Sequence, residues 1–214
     1  MNKLLIFDLD GTLIDTLDDL KNAVNFALEK FSFPLRTREE IRKAIGNGTI
    51  KLIERSAPQG TDEKTLAELH KVFKAFYLEN LSQNTKPYPG ITSLLFLLKT
   101  KGYKLAVVSN KDHDATVKLI TTMFPMLFDY IQGSYFEHPK KPHPYLINKV
   151  INEMNFSKEK ITYIGDTNVD EESAINAGIS YILVSYGYRT KTELLSQVKT
   201  RNIANSIKDL DSTL

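Results

Sequence analysis

The sequence predicts an α/β fold, with a Rossmann-like three-layer core in which a parallel β-sheet lies between helices. Short continuous apolar runs, which are typical of strands buried on both faces, alternate with helical patterns over most of the chain. Between the first and second of these runs, the sequence has only helical patterns. We therefore predict a core domain of residues 1–13 and 87–214 and an inserted, all-helical domain of residues 14–86.

Five apolar runs are predicted to form strands, and Phe128–Ile131 is the weakest of them. In chain order the other four are Leu4–Phe7, Tyr103–Val108, Ile161–Ile164 and Tyr181–Val184. The helices predicted between them are Ile91–Leu98, Ala115–Phe124 and Pro144–Met154. Those of the inserted block are Leu17–Phe31, Arg38–Ile45, Ile50–Ser56 and Asp62–Leu81. After residue 199 the pattern is weak and predicts no element.

Composition narrows the classes of function. The 28 Lys and Arg residues nearly balance the 26 Asp and Glu residues, so the charge gives no reason to expect a nucleic-acid or membrane partner. The chain has no cysteine, which excludes disulfides, thiolate zinc sites and thiol catalysis. The apolar N-terminal stretch meets Asp8 and Asp10 too soon for a signal peptide, and no apolar run has the length of a membrane span. We expect a cytoplasmic protein.

Asp8 and Asp10 end the first predicted strand. Residues two apart on a strand point to the same side, so both carboxylates can face a crevice while Leu9 stays buried. Two close carboxylates need a cation or a shared proton, and Mg²⁺ commonly binds one or two carboxylates together with a substrate phosphate. The alternative is a strand-end turn, completed by Gly11, with two solvated acids.

Other polar residues follow later strands or lie in loops. Ser109 and Asn110 suit a phosphate oxygen or, alternatively, cap a helix. Lys141, whose backbone is restricted by the nearby Pro142 and Pro144, can neutralise a phosphate. The alternative is a solvated loop lysine, and Lys140 competes for the role. In open parallel sheets, ligands bind at the carboxyl ends of strands, so these groups are expected to converge there.

Asp166 leaves the fourth predicted strand, and Asp170 follows four residues later near a predicted helix start. A carboxylate at the end of a buried strand needs a partner, so Asp166 is a candidate metal ligand. For Asp170 the alternative is an acid placed at a helix N-terminus, where the helix dipole stabilises it.

Together these segments resemble the four motifs of the haloacid dehalogenase superfamily in order and spacing. The segments are Asp8-Leu9-Asp10-Gly11-Thr12, Ser109-Asn110, Lys141-Pro142 and Gly165-Asp166-Thr167-Asn168-Val169-Asp170. The nearest resemblance is to the phosphoglycolate phosphatase-like branch, which carries a helical cap after the first motif. Two further segments, Pro87-Tyr88-Pro89-Gly90 and Gly46-Asn47-Gly48, look like that branch.

The resemblance implies a magnesium-dependent phosphatase that acts through an aspartyl-phosphate. It implies that Asp8 is the nucleophile and that Asp10 is the general acid and base. Mg²⁺ would be held by Asp8, the backbone carbonyl of Asp10 and Asp166. Asp170 would support the metal or anchor Lys141.

The remaining residues have supporting roles in the same resemblance. Ser109, Asn110 and Lys141 would bind the phosphoryl oxygens, and Thr12 is a supporting residue of the first motif. Gly46, Asn47 and Gly48 could approach the substrate and influence specificity, or form a plain helix end and turn. The expected partner is a small phosphorylated metabolite, and the protein is expected to be a monomer or a homodimer.

Three alternatives remain at this stage. A sugar phosphomutase or a pyrophosphatase of the same superfamily has the same motifs, although Thr12 is more typical of the hydrolases, since the mutases often carry Val there. A catalytically inactive binding protein is disfavoured because every matched chemical position is intact. A dehalogenase needs no magnesium, which the carboxylates of Asp10 and Asp166 argue against.

Overall fold

A computed structural model describes residues 3–46 and 48–214. The chain divides into two compact units, which are described separately. The sheet unit comprises the residues up to Asp15 together with Pro87–Leu214, and the helical unit comprises Thr16–Lys86.

The sheet unit is built on six parallel strands in the order β5-β4-β1-β6-β7-β8. These strands are β1 (Leu4–Phe7), β4 (Lys104–Asp112), β5 (Tyr130–Ser134), β6 (Ile161–Gly165), β7 (Ser180–Val184) and β8 (Ile203–Ala204). Two short strands, β2 (Ile14–Asp15) and β3 (Lys86–Pro87), form a separate two-stranded sheet. The predicted α/β class with a parallel sheet is confirmed.

Helices connect the strands, as parallel pairing requires. They are α5 (Ile91–Thr100), α6 (His113–Met123), α7 (Tyr145–Met154), α8 (Asn168–Ala177), α9 (Lys191–Gln197) and α10 (Ile207–Thr213). All four residues of β1 are buried. Leu4 and Ile6 belong to a core cluster with residues of α7 and α8, whereas the Phe7 ring meets the edge of Phe128 at 6.3 Å between centroids. The strand is thus buried on both faces, which explains its uninterrupted apolar sequence.

The register of the central strands fixes where the polar residues fall. Phe7 of β1 lies opposite Val107 of β4 and Ile164 of β6. The chain positions that follow these three residues are therefore level with one another at the carboxyl edge of the sheet. This places Asp8 and Asp10 beside Ser109 and Asp166.

The helical unit contains α1 (Leu17–Lys30), α2 (Arg38–Ala44), α3 (Thr49–Ser56) and α4 (Glu63–Glu79). The Phe26 ring of α1 stacks on Phe76 of α4 at 4.1 Å between centroids. Thr37 and Glu40 form a reciprocal capping box that starts α2, and the Asp62 side chain caps α4. These signals are local in sequence, which is why the four helices were predicted within a few residues of their observed bounds.

One buried carboxylate, that of Asp19, joins the beginning of the helical unit to its end. Asp19 of α1 accepts hydrogen bonds from the backbone N–H groups of Asn84 and Thr85, both at 2.9 Å. It also accepts from the Asn84 amide at 2.8 Å and the Thr85 hydroxyl at 2.6 Å. A buried carboxylate with four such donors is well satisfied without a cation.

Several elements differ from the sequence predictions. β4 continues to Asp112, four residues beyond the predicted strand, with a register shift after Val108. β5 begins at Tyr130 rather than Phe128, because Phe128 packs in the core before the strand starts. The short strands β2 and β3 fall where only helices were expected, and β8 and α10 fall where nothing was predicted. None of the helices in the described part of the chain has the length and apolar character needed to cross a membrane.

Candidate active site

Lys141 lies at the centre of a buried polar cluster at the carboxyl edge of the sheet. Its Nζ donates to Asp8 Oδ1 at 2.7 Å, to Asp170 Oδ1 at 2.8 Å and to the Tyr163 hydroxyl at 2.9 Å. Only 4% of its side chain is exposed, so the solvated-loop reading is wrong for Lys141. Burial alone lowers the pKa of Lys141, but the carboxylates of Asp170 and Asp8 outweigh that effect and hold the pKa well above its ordinary value. The group is a buried ammonium.

Asp170 has both carboxylate oxygens occupied by hydrogen-bond donors. Oδ1 accepts from Lys141 and, at 3.2 Å, from Tyr163. Oδ2 accepts from the backbone N–H groups of Asp166 and Thr167 and from the Thr167 hydroxyl. Asp170 therefore both closes the N-terminus of α8 and anchors Lys141. The sequence suggested either an acid at a helix N-terminus or an anchor for Lys141, and the Asp170 carboxylate is both.

Asp166 is fully buried where β6 ends. Its Oδ2 accepts from the Tyr188 N–H at 3.1 Å, and its Oδ1 lies 3.4 Å from the Thr12 hydroxyl. Burial, followed by the charges of Asp170 and Asp8, raises the pKa of Asp166 well above its ordinary value. Burial likewise raises the pKa of Asp8, in spite of Lys141. Carboxylates in this state need a further cation to stay ionised.

The donor set fits a hard divalent cation. Asp8, Asp166 and Asp170 each offer a carboxylate oxygen, and these oxygens lie within 4.8 Å of one another. Oxygen ligands of this kind suit Mg²⁺. Because the oxygens of Asp170 already accept several hydrogen bonds, Asp8 and Asp166 are the better direct ligands, and Asp170 is the better support.

Glycines keep the space beside Asp166 open. Gly11 has a φ of +88°, and a Cβ built on it would lie 2.3 Å from Asp166 Oδ2. A Cβ on Gly187 would lie 1.9 Å from the backbone oxygen of Gly11. The Tyr186 hydroxyl also donates to the backbone oxygen of Thr12 at 3.2 Å. The loop after β7 therefore packs directly on the first motif, which the sequence reasoning did not find.

Asp10 is paired with a residue that the sequence reasoning overlooked. Lys111 Nζ donates to Asp10 Oδ2 at 2.7 Å and to Oδ1 at 2.9 Å, and 6% of the Lys111 side chain is exposed. Lys111 directly follows Ser109-Asn110 in the long strand β4. Its distance of two residues from Ser109, whose Oγ accepts from the Lys111 N–H, was the available signal.

Ser109 and Asn110 lie inside β4 and do not cap a helix. The side chain of Asp112 caps α6, so the helix-cap reading of the two residues is wrong. Asn110 Nδ2 donates to the Lys141 carbonyl at 3.0 Å, and Asn110 Oδ1 accepts from the Lys141 N–H at 2.7 Å. Asn110 thus fixes the backbone of the loop that carries the buried lysine.

Tyr163 was counted only as an apolar strand residue. Its hydroxyl accepts from Lys141, and its one proton is shared between Asp170 Oδ1 at 3.2 Å and the Val108 carbonyl at 3.3 Å. Burial is the main reason why the pKa of Tyr163 lies well above its ordinary value, so the hydroxyl keeps its proton. Tyr163 completes the hydrogen bonding around Lys141.

In the helical unit, Gly46 and Gly48 lie in the turn between α2 and α3, both with positive φ. The Arg55 guanidinium donates to the carbonyls of Ala44 and Gly46 at 2.9 and 3.1 Å, which holds this turn in place. Asn47, the third residue of the predicted specificity segment, lies outside the described residues. The role of the segment in specificity stays a prediction.

Comparison with known proteins decides the family. A model of the haloacid dehalogenase-like hydrolases matches residues 5–184, which includes every motif that forms the cluster. The chain belongs to this family. The predicted resemblance is therefore confirmed, and so is the prediction that the protein is a phosphatase-type hydrolase.

Relatives of this hydrolase point to one branch of the family. A phosphoglycolate phosphatase of Aquifex aeolicus is 36% identical over 87% of this chain and 86% of its own length. A phosphoglycolate phosphatase of Nitrosococcus oceani is 31% identical over 87% and 85%. A crystal structure of a predicted phosphoglycolate phosphatase from Haemophilus somnus has a TM-score of 0.89 and 29% identity, covering 99% of this chain and 97% of that one.

Proposed function

We propose that this hydrolase releases inorganic phosphate from phosphoglycolate or a closely similar small phosphomonoester, with Mg²⁺ bound at Asp8 and Asp166. The supporting observation is the buried cluster of Asp8, Asp166 and Asp170, in which Asp8 and Asp170 accept hydrogen bonds from the Lys141 ammonium. The substrate class follows from relatives that are named phosphoglycolate phosphatases.

The chemistry proceeds in two displacements. The Asp8 carboxylate attacks phosphorus, and the bond between phosphorus and the ester oxygen breaks while Asp10 gives its proton to that oxygen. A water molecule then attacks phosphorus, Asp10 takes a proton from it, and the bond between phosphorus and Asp8 breaks. Phosphate leaves and both aspartates return to their starting states. When bound, Mg²⁺ supplies charge neutralisation and Lewis acidity to the phosphoryl group.

The chain's own residues orient this reaction. Lys141 holds Asp8 by a 2.7 Å hydrogen bond and places a positive charge beside the attacking carboxylate. Asp170 and Tyr163 fix the Lys141 ammonium from two other directions, and Asn110 fixes its backbone. We propose that Ser109 and Asn110 contribute to phosphate binding through backbone N–H groups, since the Asn110 amide is already engaged.

We further propose that residues 14–86 are a cap domain that selects the leaving group and that residues 1–13 and 87–214 are the core domain. Gly46, Asn47 and Gly48 are the proposed specificity segment of that cap. The absence of cysteine fits a reducing compartment, and we propose the cytoplasm as the place of action.

Phosphate release tests the proposal. Purified protein is assayed with phosphoglycolate, pyrophosphate, hexose 1-phosphates and nucleoside monophosphates, with Mg²⁺ and then with excess EDTA. We expect phosphoglycolate to have the highest kcat/KM, EDTA to stop turnover, and Asp8→Asn to reduce kcat by about a thousandfold or more. Formation of a hexose 6-phosphate in place of free phosphate would indicate a mutase.

The matched control is Asp211→Asn. This change removes the same charge from an exposed pair with Lys101 in which both side chains are at least 40% accessible. We expect wild-type activity from it. Full activity of Asp8→Asn, or no phosphate from any substrate with Mg²⁺ present, contradicts the proposed function.

A further inference from the structure

Lys111 is a second buried ammonium that the two displacements do not require. The phosphoryl group and Asp8 are served by Lys141, whose Nζ contacts Asp8, Asp170 and Tyr163. Lys111 instead contacts both oxygens of Asp10, at 2.7 and 2.9 Å, and 94% of its side chain is buried. Burying an ammonium costs free energy, so this buried charge needs a role that a solvated surface lysine does not have.

The distance from the Lys111 ammonium to the ester oxygen of the substrate follows from the position of Asp10. If Asp10 gives its proton to the ester oxygen, one of its oxygens lies within about 3 Å of that oxygen during transfer. Lys111 Nζ lies 2.7 Å from the same carboxylate. The ammonium therefore lies within about 6 Å of the ester oxygen that receives the proton.

An anionic group of the substrate can lie between the ester oxygen and the Lys111 ammonium. In a phosphorylated 2-hydroxy acid, one carbon separates the ester oxygen from the carboxylate carbon, so the carboxylate oxygens lie about 3 Å from the ester oxygen. An ammonium about 6 Å from the ester oxygen is then within hydrogen-bond reach of the carboxylate. The four-carbon stem of Lys111 gives the ammonium further freedom to move from Asp10 toward it.

We propose that Lys111 is a specificity residue that binds a carboxylate carried by the leaving group one carbon from the ester oxygen. The proposal rests on the proposed function and assigns its substrate class, the phosphoesters of short 2-hydroxy acids. When such a substrate binds, its carboxylate replaces Asp10 as the hydrogen-bond acceptor of the Lys111 ammonium. A neutral leaving group carries no anion that can replace Asp10 in this contact with Lys111.

A role in positioning Asp10 alone makes a different prediction. Every substrate needs Asp10, so loss of a mere positioning contact lowers turnover of charged and neutral substrates by the same factor. Loss of a carboxylate-binding group lowers kcat/KM for the charged substrate selectively. The ratio of the two kcat/KM values therefore separates these roles.

The experiment compares phosphoglycolate with 2-hydroxyethyl phosphate, in which a neutral hydroxymethyl group replaces the carboxylate. Both are assayed with Mg²⁺ on the wild type, on Lys111→Met and on Lys111→Gln, the second of which keeps a polar group without the charge. We expect the wild type to prefer phosphoglycolate. Each variant should reduce that preference about tenfold or more, because a charge-assisted hydrogen bond to the substrate is lost.

Lys118→Met is the control, since Lys118 is an exposed lysine of α6 and its loss should leave the preference unchanged. Thermal unfolding checks that each variant is folded, and the Gln variant serves if the Met variant is not. Equal losses on both substrates, or an unchanged preference, overturn the role of Lys111 while leaving the phosphatase assignment intact. A wild type that prefers the neutral substrate also overturns it. A wild type that releases phosphate from neither substrate overturns both proposals.

Discussion

The two ends of the same parallel sheet carry carboxylate–lysine networks of opposite electrostatic balance. At the amino end, before β5, Asp129 accepts from Lys99 at 2.7 Å, from Lys104 at 2.8 Å and from the Leu105 N–H at 2.9 Å. One carboxylate there faces two ammonium groups. At the carboxyl end, two ammonium groups hydrogen-bond within a cluster of four carboxylates. The residues of that cluster are Asp8, Asp10, Asp166, Asp170, Lys111 and Lys141.

The directions in which the carboxyl pKa values shift follow this balance of charges. Burial raises the pKa of Asp129, but Lys104, Lys99 and the Leu105 N–H outweigh it and hold the pKa below its ordinary value. At the other end, burial and neighbouring acids raise the pKa of Asp8 and Asp166. The amino-end network is complete by itself and serves the fold. The carboxyl-end cluster has a surplus of negative charge, which a bound cation would balance.

Among three further changes that test this comparison, the largest effect is expected from Asp166→Asn, which lowers the surplus of negative charge at the carboxyl end. We expect phosphate release to fall about a hundredfold or more, because a proposed metal ligand is lost. Without metal, the melting temperature should equal or exceed that of the wild type, since a buried and repelled charge is removed. Phosphate release is assayed on both proteins, and scanning calorimetry with and without Mg²⁺ measures their melting temperatures. A variant that Mg²⁺ stabilises as strongly as it does the wild type would show that Asp166 is not a ligand.

An intermediate effect is expected from Asp129→Asn at the amino end. At pH 7 the loss of two charge-assisted hydrogen bonds should lower the free energy of unfolding by about 1–2 kcal/mol, with kcat unchanged. Because the folded-state pKa of Asp129 is depressed, its contribution is complete above the ordinary carboxyl pKa of about 3.9. It is lost as the pH falls through the lower folded-state pKa.

Urea unfolding between pH 7 and pH 3 measures this dependence on the wild type and on Asp129→Asn. The difference between the two proteins should shrink at the acid end of the range. Asp211→Asn serves as the exposed-charge control and should show a small difference throughout. A difference that grows on acidification would contradict a stabilising, ionised Asp129.

The smallest effect is expected from Tyr163→Phe, which removes one hydroxyl beside Lys141. Stability should fall by about 1 kcal/mol, because the Val108 carbonyl and Lys141 each lose a hydrogen bond. We expect kcat to fall several-fold with a smaller change in KM, since Lys141 is less firmly held. Tyr103→Phe, which removes a hydroxyl that donates to the Leu214 carbonyl, is the control and should change stability alone. Equal kcat values for the two variants would limit Tyr163 to the fold.

Much of this arrangement could be predicted because its signals are local. Buried parallel strands read as continuous apolar runs, and Asp8, Asp166 and Asp170 stand at fixed distances from strand ends. Lys111 escaped prediction because a lone lysine near a strand end has the same sequence signature as a solvated one. The direction of a hydroxyl such as that of Tyr163 depends on tertiary packing. So does the contact of Gly187 with Gly11, which joins segments far apart in the chain.

Asp19, which clasps Asn84 and Thr85, has a consequence for how such proteins diversify. A single side chain joins the segment that ends the helical unit to the helix that begins it, so the two ends of the unit are held together by its own residues. A unit closed in this way can be exchanged, lengthened or shortened during evolution while these hydrogen bonds keep its two ends together. Under the proposed role of this unit in selecting the leaving group, substrate choice can then change by replacing the unit, with the proposed catalytic residues left untouched.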